Sequence, residues 1–342
     1  MIKAGIYGAT GYAGAELIKI LSSHSEVEVL FAASKTYAGM DLNSIHPDAP
    51  NILLQDTEKA DLHQADIVFL CLPSSKGMSI VVDALQAGVK VIDLSADFRL
   101  NDAIEFKNWY GTSHVAPDLL SEAVYGLSEA NRSKLVGAKL IANPGCYPTS
   151  VLLPIWPLII NSILDNSRPI IVDSKSGVSG AGRSPKQHLH FVEVSGNFQP
   201  YKIGRVHRHV PEMEQQLSNW GSSIPELIFT PHLLPVPRGI LSTIYLPIKP
   251  GHKEHDIRAI FSKTFSDEPF IKLLPSGQNA SLAHVLHSNI CVFGVDLTRD
   301  TLIITSAIDN LVKGAAGQAV QNMNIMTGQQ EEAGLETLAL YP

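Results

Sequence analysis

The chain opens on the stretch IKAGIYGATGYAG, residues 2–14, in which a strand-like apolar run leads into glycines at positions 8, 11 and 14. A helical pattern follows, since Ala13, Leu17 and Leu21 share one helical face. Glycines in such a turn let backbone N–H groups approach a pyrophosphate at the helix N-terminus. The spacing is GxxGxxG rather than GxGxxG, but its place between the first strand and the first helix predicts a dinucleotide site. The alternative is a purely structural turn.

The remainder of the first half alternates apolar runs with helical patterns. The predicted strands cover residues 2–7, 27–33, 67–72, 89–94 and 140–142. A helix is predicted from Ser74 to Ala87, because the segment opens with cap-type residues and Gly88 follows it. This alternation predicts an α/β fold with a Rossmann-type parallel sheet and helices on both faces.

After about Cys146 the pattern changes to longer strand-like runs with fewer helices. Strands are predicted over residues 169–173, 226–234, 241–248, 290–297 and 302–308, and helices over 210–220, 256–265 and 310–326. Clustered strands of this kind predict an α+β domain with a mixed or antiparallel sheet and helices on one side. The expected domains are residues 1–145 plus 310–342, and residues 146–309.

Composition and charge exclude several classes of protein. The net charge of −7 comes without a basic run, so no nucleic-acid partner is expected. No uncharged apolar stretch approaches the roughly 18 residues of a membrane helix. The three cysteines lack metal-ligand spacing, so no metal site is expected. Their odd number, and an N-terminus that runs straight into a strand, favour a cytoplasmic protein.

The end of the second predicted strand bears on the choice of nucleotide. An NAD site usually carries an acidic residue there, which binds the ribose 2′-hydroxyl. This chain has Ser34 and Lys35 instead, a hydroxyl and a cation that suit a 2′-phosphate. NADP is therefore favoured over NAD, although Lys35 alone is equally consistent with an ordinary surface lysine.

Cys146 lies in the sequence ANPGCYPT, between a short apolar run and an apolar helical segment. Pro148 suits the first turn of a helix, which would place the thiol at a helix N-terminus, where the thiolate is favoured. Cys71 and Cys291 lie in continuous apolar runs and suit inert core positions. A thiolate beside a nicotinamide can form a thioester and pass through hydride transfer to an aldehyde.

The stretch GRVHRHVPE, residues 204–212, places two imidazoles, two guanidiniums and a carboxylate just before a predicted helix. Histidine has the pKa that suits a base for the cysteine and a proton shuttle. His207 and His209 would share one face of an extended segment, and Glu212 could orient one of them. The alternatives are a basic surface patch, a capping cluster or, less favoured, a metal site.

Arg99 ends the sequence LSADFR, which follows a predicted strand of the parallel sheet. Open α/β sheets place ligands at this end of their strands, and a guanidinium binds phosphate in bidentate fashion. The Gly/Ser-rich segment SKSGVSGAGR, residues 174–183, offers further N–H donors in a flexible loop. Either segment could also be an ordinary connection.

These segments together resemble the N-acetyl-γ-glutamyl-phosphate reductase family, which is related to aspartate-semialdehyde dehydrogenase. The resemblance rests on motifs in the family's order that span nearly the whole chain: GATGYAG (8–14), LSADFR (94–99), VYGL (124–127), NPGCYPT (143–149), SKSGVSGAGR (174–183) and HRHVPE (207–212).

The resemblance implies NADPH-dependent reduction of an acyl phosphate in arginine biosynthesis, with a semialdehyde and phosphate as products. It implies Cys146 as the nucleophile, His209 as the favoured acid/base with His207 as its rival, and Glu212 orienting the pair. Arg99 and Asn143 would hold the substrate phosphate. A homodimer or homotetramer is expected. The residues expected to bind NADP are Gly8, Thr10, Gly11, Tyr12, Gly14, Ser34, Lys35 and Asn310.

Three alternatives share parts of this pattern. A reductase of aspartyl phosphate, or of carrier-linked aminoadipyl phosphate, would use the same chemistry. The carrier-linked substrate should need a basic groove, for which the net charge of −7 gives no sign. A non-catalytic NADP-binding regulator should have lost Cys146 or the histidines, and both are intact. A glyceraldehyde-phosphate-type dehydrogenase would normally carry an acid where Ser34 stands.

Overall fold

The computed structural model describes residues 1–340. The chain forms two compact units: Met1–Gly145 with Ala315–Glu336, and Cys146–Gly314 with the terminal segment that starts at Thr337. The chain passes from the first unit to the second after Gly145 and back after Gly314, and the segment from Thr337 groups with the second unit. The division into domains of residues 1–145 plus 310–342 and of residues 146–309 stays a prediction. Tyr341 and Pro342, at the end of the predicted first domain, lie outside the described residues.

The first unit contains a sheet of seven parallel strands. They are β1 (Ile2–Tyr7), β2 (Val27–Ala33), β3 (Leu54–Gln55), β4 (Ile67–Leu70), β5 (Lys90–Asp93), β6 (Val124–Tyr125) and β7 (Leu140–Ala142). Their order across the sheet is β3-β2-β1-β4-β5-β7-β6, and every pair is parallel. The strand order reverses beside β1, so the carboxyl ends of β1 and β4 form the crevice where such sheets bind ligands.

Five helices cover this sheet: α1 (Tyr12–Ser22), α2 (Met78–Gln86), α3 (Ala103–Tyr110), α4 (Ser128–Leu135) and, from the far end of the chain, α9 (Gly317–Thr327). The side chains of α2 and α3 share one core with Val68 and Val91 of the sheet. Helices α1 and α9 pack together on the other face, as the amphipathic pattern of α1 requires.

Helix α9 is buried over Gly317–Met326, and its polar side chains bond to the first unit. Asn324 Oδ1 lies 3.0 Å from His24 Nε2, and Ser128 donates to Asn322 Oδ1 over 2.8 Å. Gln318 Nε2 donates to the backbone oxygen of Gly126 over 3.1 Å. The first unit is thus completed by residues near the C-terminus.

The second unit is built on a mixed sheet of seven strands. They are β8 (Ile170–Gly177), β9 (Gln199–Pro200), β10 (Leu227–Leu234), β11 (Ile240–Pro247), β12 (Ile271–Leu273), β13 (Cys291–Thr298) and β14 (Thr301–Ile308). The order is β12-β13-β14-β11-β8-β10-β9. The β12–β13 and β8–β10 pairs are parallel and the other four are antiparallel.

The helices of the second unit are α5 (Cys146–Ile160), the short α6 (Phe191–Val194), α7 (His209–Trp220) and α8 (Glu254–Thr264). Helices α5, α7 and α8 contact one another or the sheet and cover one of its faces. On the other face, Ile171, Ile228 and Tyr245 lie on neighbouring strands and are 41%, 41% and 38% exposed. The predicted α/β fold with a mixed second sheet is confirmed.

Several predicted elements differ from the observed ones by one or two residues at their ends, and three are wrong by more. Helix α2 starts at Met78 rather than Ser74, because Ser75 has a left-handed φ of 69° and its N–H donates to Asp97 Oδ1 over 2.8 Å. Strand β8 continues to Gly177 through half of the predicted Gly/Ser loop, because both neighbouring strands pair with it. The helix predicted from residue 310 begins as a π-helical turn at Val312–Ala316. No described helix is long and apolar enough to cross a membrane.

Candidate active site

Cys146 is the first residue of α5, so the predicted position of the thiol at a helix N-terminus is confirmed. Pro148 lies in the first turn, where its missing N–H leaves no hydrogen bond unmade. Cys146 is not in a disulfide and is partly exposed. The unpaired N–H groups and the dipole of a helix N-terminus favour an anion, so the position suits a thiolate.

Aromatic rings surround the residue that follows the thiol. The Tyr147 ring centroid lies 5.6 Å from that of His207 and 5.9 Å from that of His209. The two imidazoles are themselves 4.8 Å apart. The ring centroid of Phe229, in β10, lies 5.2 Å from that of Tyr147 and 5.4 Å from that of His207. The structure therefore brings both predicted histidines to the start of α5.

His207 is held as a neutral imidazole. Its Nδ1 accepts the backbone N–H of His209 over 3.1 Å, which leaves the ring proton on Nε2. Burial, with smaller contributions from His209 and Lys202, lowers the pKa of His207 to about 2, and Glu212 opposes the shift. His207 can therefore donate a hydrogen bond from Nε2, but it does not gain a proton at neutral pH.

His209 is the first residue of α7, and Glu212 lies in the first turn of the same helix. Glu212 is 1% exposed, and it is close enough to His207 to act on that imidazole electrostatically. Helix N-termini stabilise negative charge, which is one reason that a buried carboxylate is tolerated here. Of the two imidazoles, His209 is the more exposed.

Two tyrosine hydroxyls lie next to each other, close to the histidines. The Tyr147 and Tyr201 oxygens are 3.0 Å apart, although 54 residues separate them in sequence. Burial raises the pKa of Tyr201 to about 12 and raises that of Tyr147 as well, so both stay protonated and act as donors. Tyr201 and Phe229 were not predicted as site residues, because no local motif marks them; Tyr147 was quoted only as a neighbour of the cysteine.

The predicted nucleotide turn has the backbone geometry that requires glycine. Gly8 has a φ of 82°, and a Cβ there would overlap the carbonyl oxygen of Cys71. A Cβ on Gly14 would overlap the carbonyl oxygen of Gly8. Gly11 is the N-cap of α1 and provides no side-chain cap, and Tyr12 is the first helical residue. The N-terminal N–H groups of α1 are thus left for a ligand, which fits a pyrophosphate.

The end of β2 also fits a nucleotide with a 2′-phosphate. The Thr10 and Ser34 hydroxyl oxygens are 3.3 Å apart, which joins the glycine turn to the second strand. Lys35 Nζ lies 3.7 Å from Glu58 Oε1, but the two side chains are 82% and 79% exposed. Such an exposed pair stabilises little and leaves Lys35 available to a phosphate.

Arg99 and Asn143 are brought together in the first unit. Arg99 is 7% exposed, and its guanidinium donates to the backbone oxygens of Asn143 over 2.8 Å and Leu94 over 2.9 Å. The Asn143 side chain donates to the backbone oxygen of Ala315 over 3.1 Å and accepts from Asn322 over 3.0 Å. These bonds fix both side chains in place.

Asn310 lies in the second unit and is 3% exposed. Its amide donates to the Ser179 hydroxyl over 3.0 Å and accepts the backbone N–H of Gly239 over 2.6 Å. The role of Asn310 in cofactor binding stays a prediction. Within residues 1–340, no group of three or more His, Cys, Asp or Glu side chains is arranged to hold a metal ion.

Two family models match the chain. The semialdehyde dehydrogenase NAD-binding domain matches residues 3–138, and the semialdehyde dehydrogenase dimerisation domain matches residues 146–310. Together they cover most of both units.

Curated relatives match over the full length. The chain is 47% identical to the N-acetyl-γ-glutamyl-phosphate reductase of Magnetococcus marinus, covering 100% of this chain and 99% of the relative. It is 46% identical to the reductase of the same name from Geobacter sulfurreducens, with 100% of each chain covered.

Solved structures share the fold at low sequence identity. Aspartate semialdehyde dehydrogenase II of Vibrio cholerae aligns with a TM-score of 0.75 and 17% identity, covering 96% of this chain and 98% of that one. The NADP-bound aspartate semialdehyde dehydrogenase of Candida albicans aligns with a TM-score of 0.69 and 17% identity, covering 95% and 98%.

The expectations of an oxidoreductase, of a nicotinamide cofactor and of the family itself are thereby confirmed. The glycine turn, the thiol at the start of α5 and the adjoining histidines all lie within the matched regions. The chain belongs to the N-acetyl-γ-glutamyl-phosphate reductase family of semialdehyde dehydrogenases.

Proposed function

We propose that this chain reduces N-acetyl-γ-glutamyl phosphate with NADPH to N-acetylglutamate semialdehyde and phosphate, as a step of arginine biosynthesis. One observation carries the proposal: Cys146 begins α5 directly before Tyr147, whose ring packs against the imidazole pair, in a chain 47% identical along its length to a reductase of that name. Acyl transfer to a cysteine requires such a thiolate and a nearby base.

In the proposed first step His209 takes the thiol proton, and Cys146 Sγ attacks the acyl carbon. The bond from that carbon to the phosphate oxygen breaks with its electron pair on the oxygen, and His209 returns its proton to the leaving phosphate. A thioester on Cys146 results. His209 suits this role, because it begins α7 beside Tyr147 and is more exposed than His207.

His207 stabilises the oxygen of the reacting carbonyl in this proposal. Its neutral imidazole donates from Nε2, and a fixed donor in a buried site stabilises a developing oxyanion without reorganisation. Bound NADPH would supply the hydride that reduces the thioester to the oxyanion of a thiohemiacetal. Collapse of this oxyanion breaks the C–S bond, releases the aldehyde and expels Cys146 Sγ as thiolate, and His209 passes a proton from solvent to the thiolate.

The proposed binding roles follow from charge. Arg99, held by two backbone oxygens, and Asn143 bind the substrate phosphate. Glu212 orients the imidazole pair. The pyrophosphate of NADPH is bound by the turn before α1, which consists of Gly8, Thr10, Gly11, Tyr12 and Gly14. Ser34 and Lys35 bind the 2′-phosphate. Asn310 supports the nicotinamide end of the cofactor. The first unit then serves the cofactor and the second serves catalysis and assembly.

The test is NADP⁺ reduction by the purified chain with N-acetylglutamate semialdehyde and phosphate, followed by absorbance of NADPH. Phosphate-dependent turnover supports the proposal. Turnover of aspartate semialdehyde in its place would keep the chemistry but overturn the substrate. A chain that binds NADP⁺ and turns over no semialdehyde would instead be the non-catalytic regulator.

Replacing Ser34 by aspartate should exchange the nucleotide preference. A carboxylate at the end of β2 would repel a 2′-phosphate and accept hydrogen bonds from a 2′-hydroxyl, so KM for NADP⁺ should rise by roughly 10²-fold while KM for NAD⁺ falls. Steady-state kinetics with both nucleotides measure the exchange. Ser34→Ala, which adds no charge, is the control and should leave NADP⁺ preferred. Equal changes in both KM values would contradict the assignment.

We also propose that the chain assembles through the open face of the second sheet, as a homodimer or as a pair of such dimers. Ile228, Ile171 and Tyr245 form a row across β10, β8 and β11 in a region matched by a dimerisation domain. Ile228→Lys places a cation on each copy of a self-complementary surface and should release monomers. Sedimentation velocity checks this, with Val136→Lys on the first unit as the matched control. An unchanged oligomer in Ile228→Lys would contradict it.

A cytoplasmic location is proposed as well. It is supported by Cys71, Cys146 and Cys291, none of which is in a disulfide, since cysteines without disulfides are typical of reducing compartments.

A further inference from the structure

Gly314 lies directly against the proposed nucleophile. A Cβ on Gly314 would stand 2.8 Å from Cys146 Cβ and 3.3 Å from Cys146 Cα. Carbon atoms without a bond between them prefer separations near 3.5–4.0 Å. Because the close atoms belong to the backbone and the Cβ of Cys146, they cannot rotate away as the end of a long side chain would. Any side chain at residue 314 must displace Cys146 or be displaced itself.

The segment that carries Gly314 is anchored before the glycine by Asp309. This side chain is 0% exposed, and its carboxylate lies 2.8 Å from Arg238 Nε. It also accepts the backbone N–H groups of His287 over 2.7 Å and of Leu311 over 2.9 Å. These bonds hold the Asp309 carboxylate firmly in place, because a hydrogen bond to a charged group is stronger than one between two neutral groups.

Two more side chains fix the same segment. Asn310 bonds to Ser179 and Gly239, as described above. Lys313 is 0% exposed, and its ammonium lies over the Phe270 ring, 5.5 Å from the centroid. A buried cation on an aromatic face resists displacement, because any shift would weaken an interaction made out of water. The residue next to Gly314 is therefore also held.

The backbone of the segment is a π-helical turn over Val312–Ala316, in which the N–H of Gly314 donates to the backbone oxygen of Asp309 over 2.9 Å. π-Helical turns are rare, and they occur frequently at functional sites, where they change the direction of the backbone. Here the turn directs the Cα of Gly314 at Cys146, while the residues around it are anchored elsewhere. A side chain at residue 314 would therefore displace Cys146 rather than the anchored turn.

We propose that Gly314 is a positioning residue for the reaction: the anchored π-helical turn sets the location of Cys146 Sγ, and only glycine leaves room for it. Gly314 needs no contact with substrate or cofactor in this role, because it acts through Cys146. The inference rests on the proposed role of Cys146 as the nucleophile. The inference assigns a function to the segment from Asp309 to Gly314. No residue of this segment takes part in the proposed chemical steps, and only Asn310 has another predicted role, in cofactor binding.

The test compares the wild type with Gly314→Ala by kinetics and by alkylation of Cys146 with iodoacetamide, read by mass spectrometry of the Cys146 peptide. Gly314→Ala should lower kcat by about 10²-fold, since a displacement of about 1 Å has that effect, with KM for the semialdehyde nearly unchanged. The alkylation rate should fall, and its pH midpoint should move, while NADP⁺ binding and the thermal midpoint stay close to those of the wild type. Unchanged alkylation and kcat would overturn the proposal.

A second-site variant tests the steric cause. The Cβ that Gly314→Ala introduces would also lie 3.3 Å from Ile308 Cδ1, and Ile308→Val removes that atom. The double variant should recover part of the alkylation rate and of kcat, whereas Ile308→Val alone should behave as the wild type. If Gly314→Ala fails to fold, the double variant is compared with Ile308→Val, and equal alkylation in those two would overturn the proposal.

Failure of the inference and failure of the proposed function have different signatures. Alkylation reports on Cys146 whatever the substrate is. A wild type without semialdehyde turnover, but with alkylation slowed in Gly314→Ala, overturns the proposed function and leaves the positioning role standing. A fully active wild type with equal alkylation in both proteins overturns the positioning role alone.

Discussion

Cys146→Ser is expected to lower phosphate-dependent NADPH formation by about 10⁴-fold or more, to a rate near that of the protein-free solution. A serine hydroxyl at the start of α5 keeps the size and the hydrogen bonding of the thiol, but it remains protonated at neutral pH and does not form a thioester. NADP⁺ binding, which is assigned to the first unit, should be unaffected. Steady-state rates and fluorescence titration with NADPH measure the two properties.

Cys291→Ala is the matched control for this variant. Cys291 lies in β13, is 0% exposed and has its Sγ 3.7 Å from the Ser306 hydroxyl, so its removal changes packing but not the site. It should retain nearly the full rate. Turnover within about tenfold of the wild type in Cys146→Ser would exclude a thioester route, since no other group described at the start of α5 is a comparable nucleophile.

The second large effect concerns the imidazole pair. His209→Gln should lower kcat/KM by about 10²- to 10⁴-fold and remove the limb of the pH profile that belongs to the acid/base. His207→Gln should lower the rate by a smaller factor and keep that limb. The reason is that burial lowers the pKa of His207 to about 2, so this ring is neutral throughout the working range and its removal deletes no titration.

Profiles of kcat/KM against pH for the wild type and both variants distinguish the two roles. His188→Gln, on the same unit but in an unrelated 3₁₀ turn, serves as the control and should match the wild type. Loss of the limb in His207→Gln, with the limb kept in His209→Gln, would reverse the assignment of acid/base and oxyanion donor.

Most of the parallel sheet was predictable because its strands are buried on both faces. Ile2–Tyr7 and Val27–Ala33, which are apolar except for Lys3 and Glu28, have the predicted bounds, and the C-terminal half of each is buried. Strands β3, β6, β9 and β12 were missed: each has two or three residues, too few to show any period. Their existence depends on the neighbouring strand rather than on their own residues.

The chemical groups of the site were predictable, but their arrangement was not. Motifs identified Cys146, His207 and His209, because reactive side chains in tight turns are conspicuous in sequence. The distinction between the imidazoles depends on one backbone bond, from His209 N–H to His207 Nδ1, and on burial. Gly314 gave no signal, since a glycine in a predicted helix shows nothing of the side chain packed against it.

The completion of the first unit by α9 has a consequence for synthesis on the ribosome. Proteins are made from the N-terminus, and domains generally fold as they emerge. Residues 1–145 leave the ribosome without the buried helix over Gly317–Thr327, whose polar side chains bond to Ser128, Gly126 and His24. Until the second unit has been made, the nucleotide-binding half therefore has part of one face of its sheet uncovered. The unit synthesised second can complete its core before the unit synthesised first.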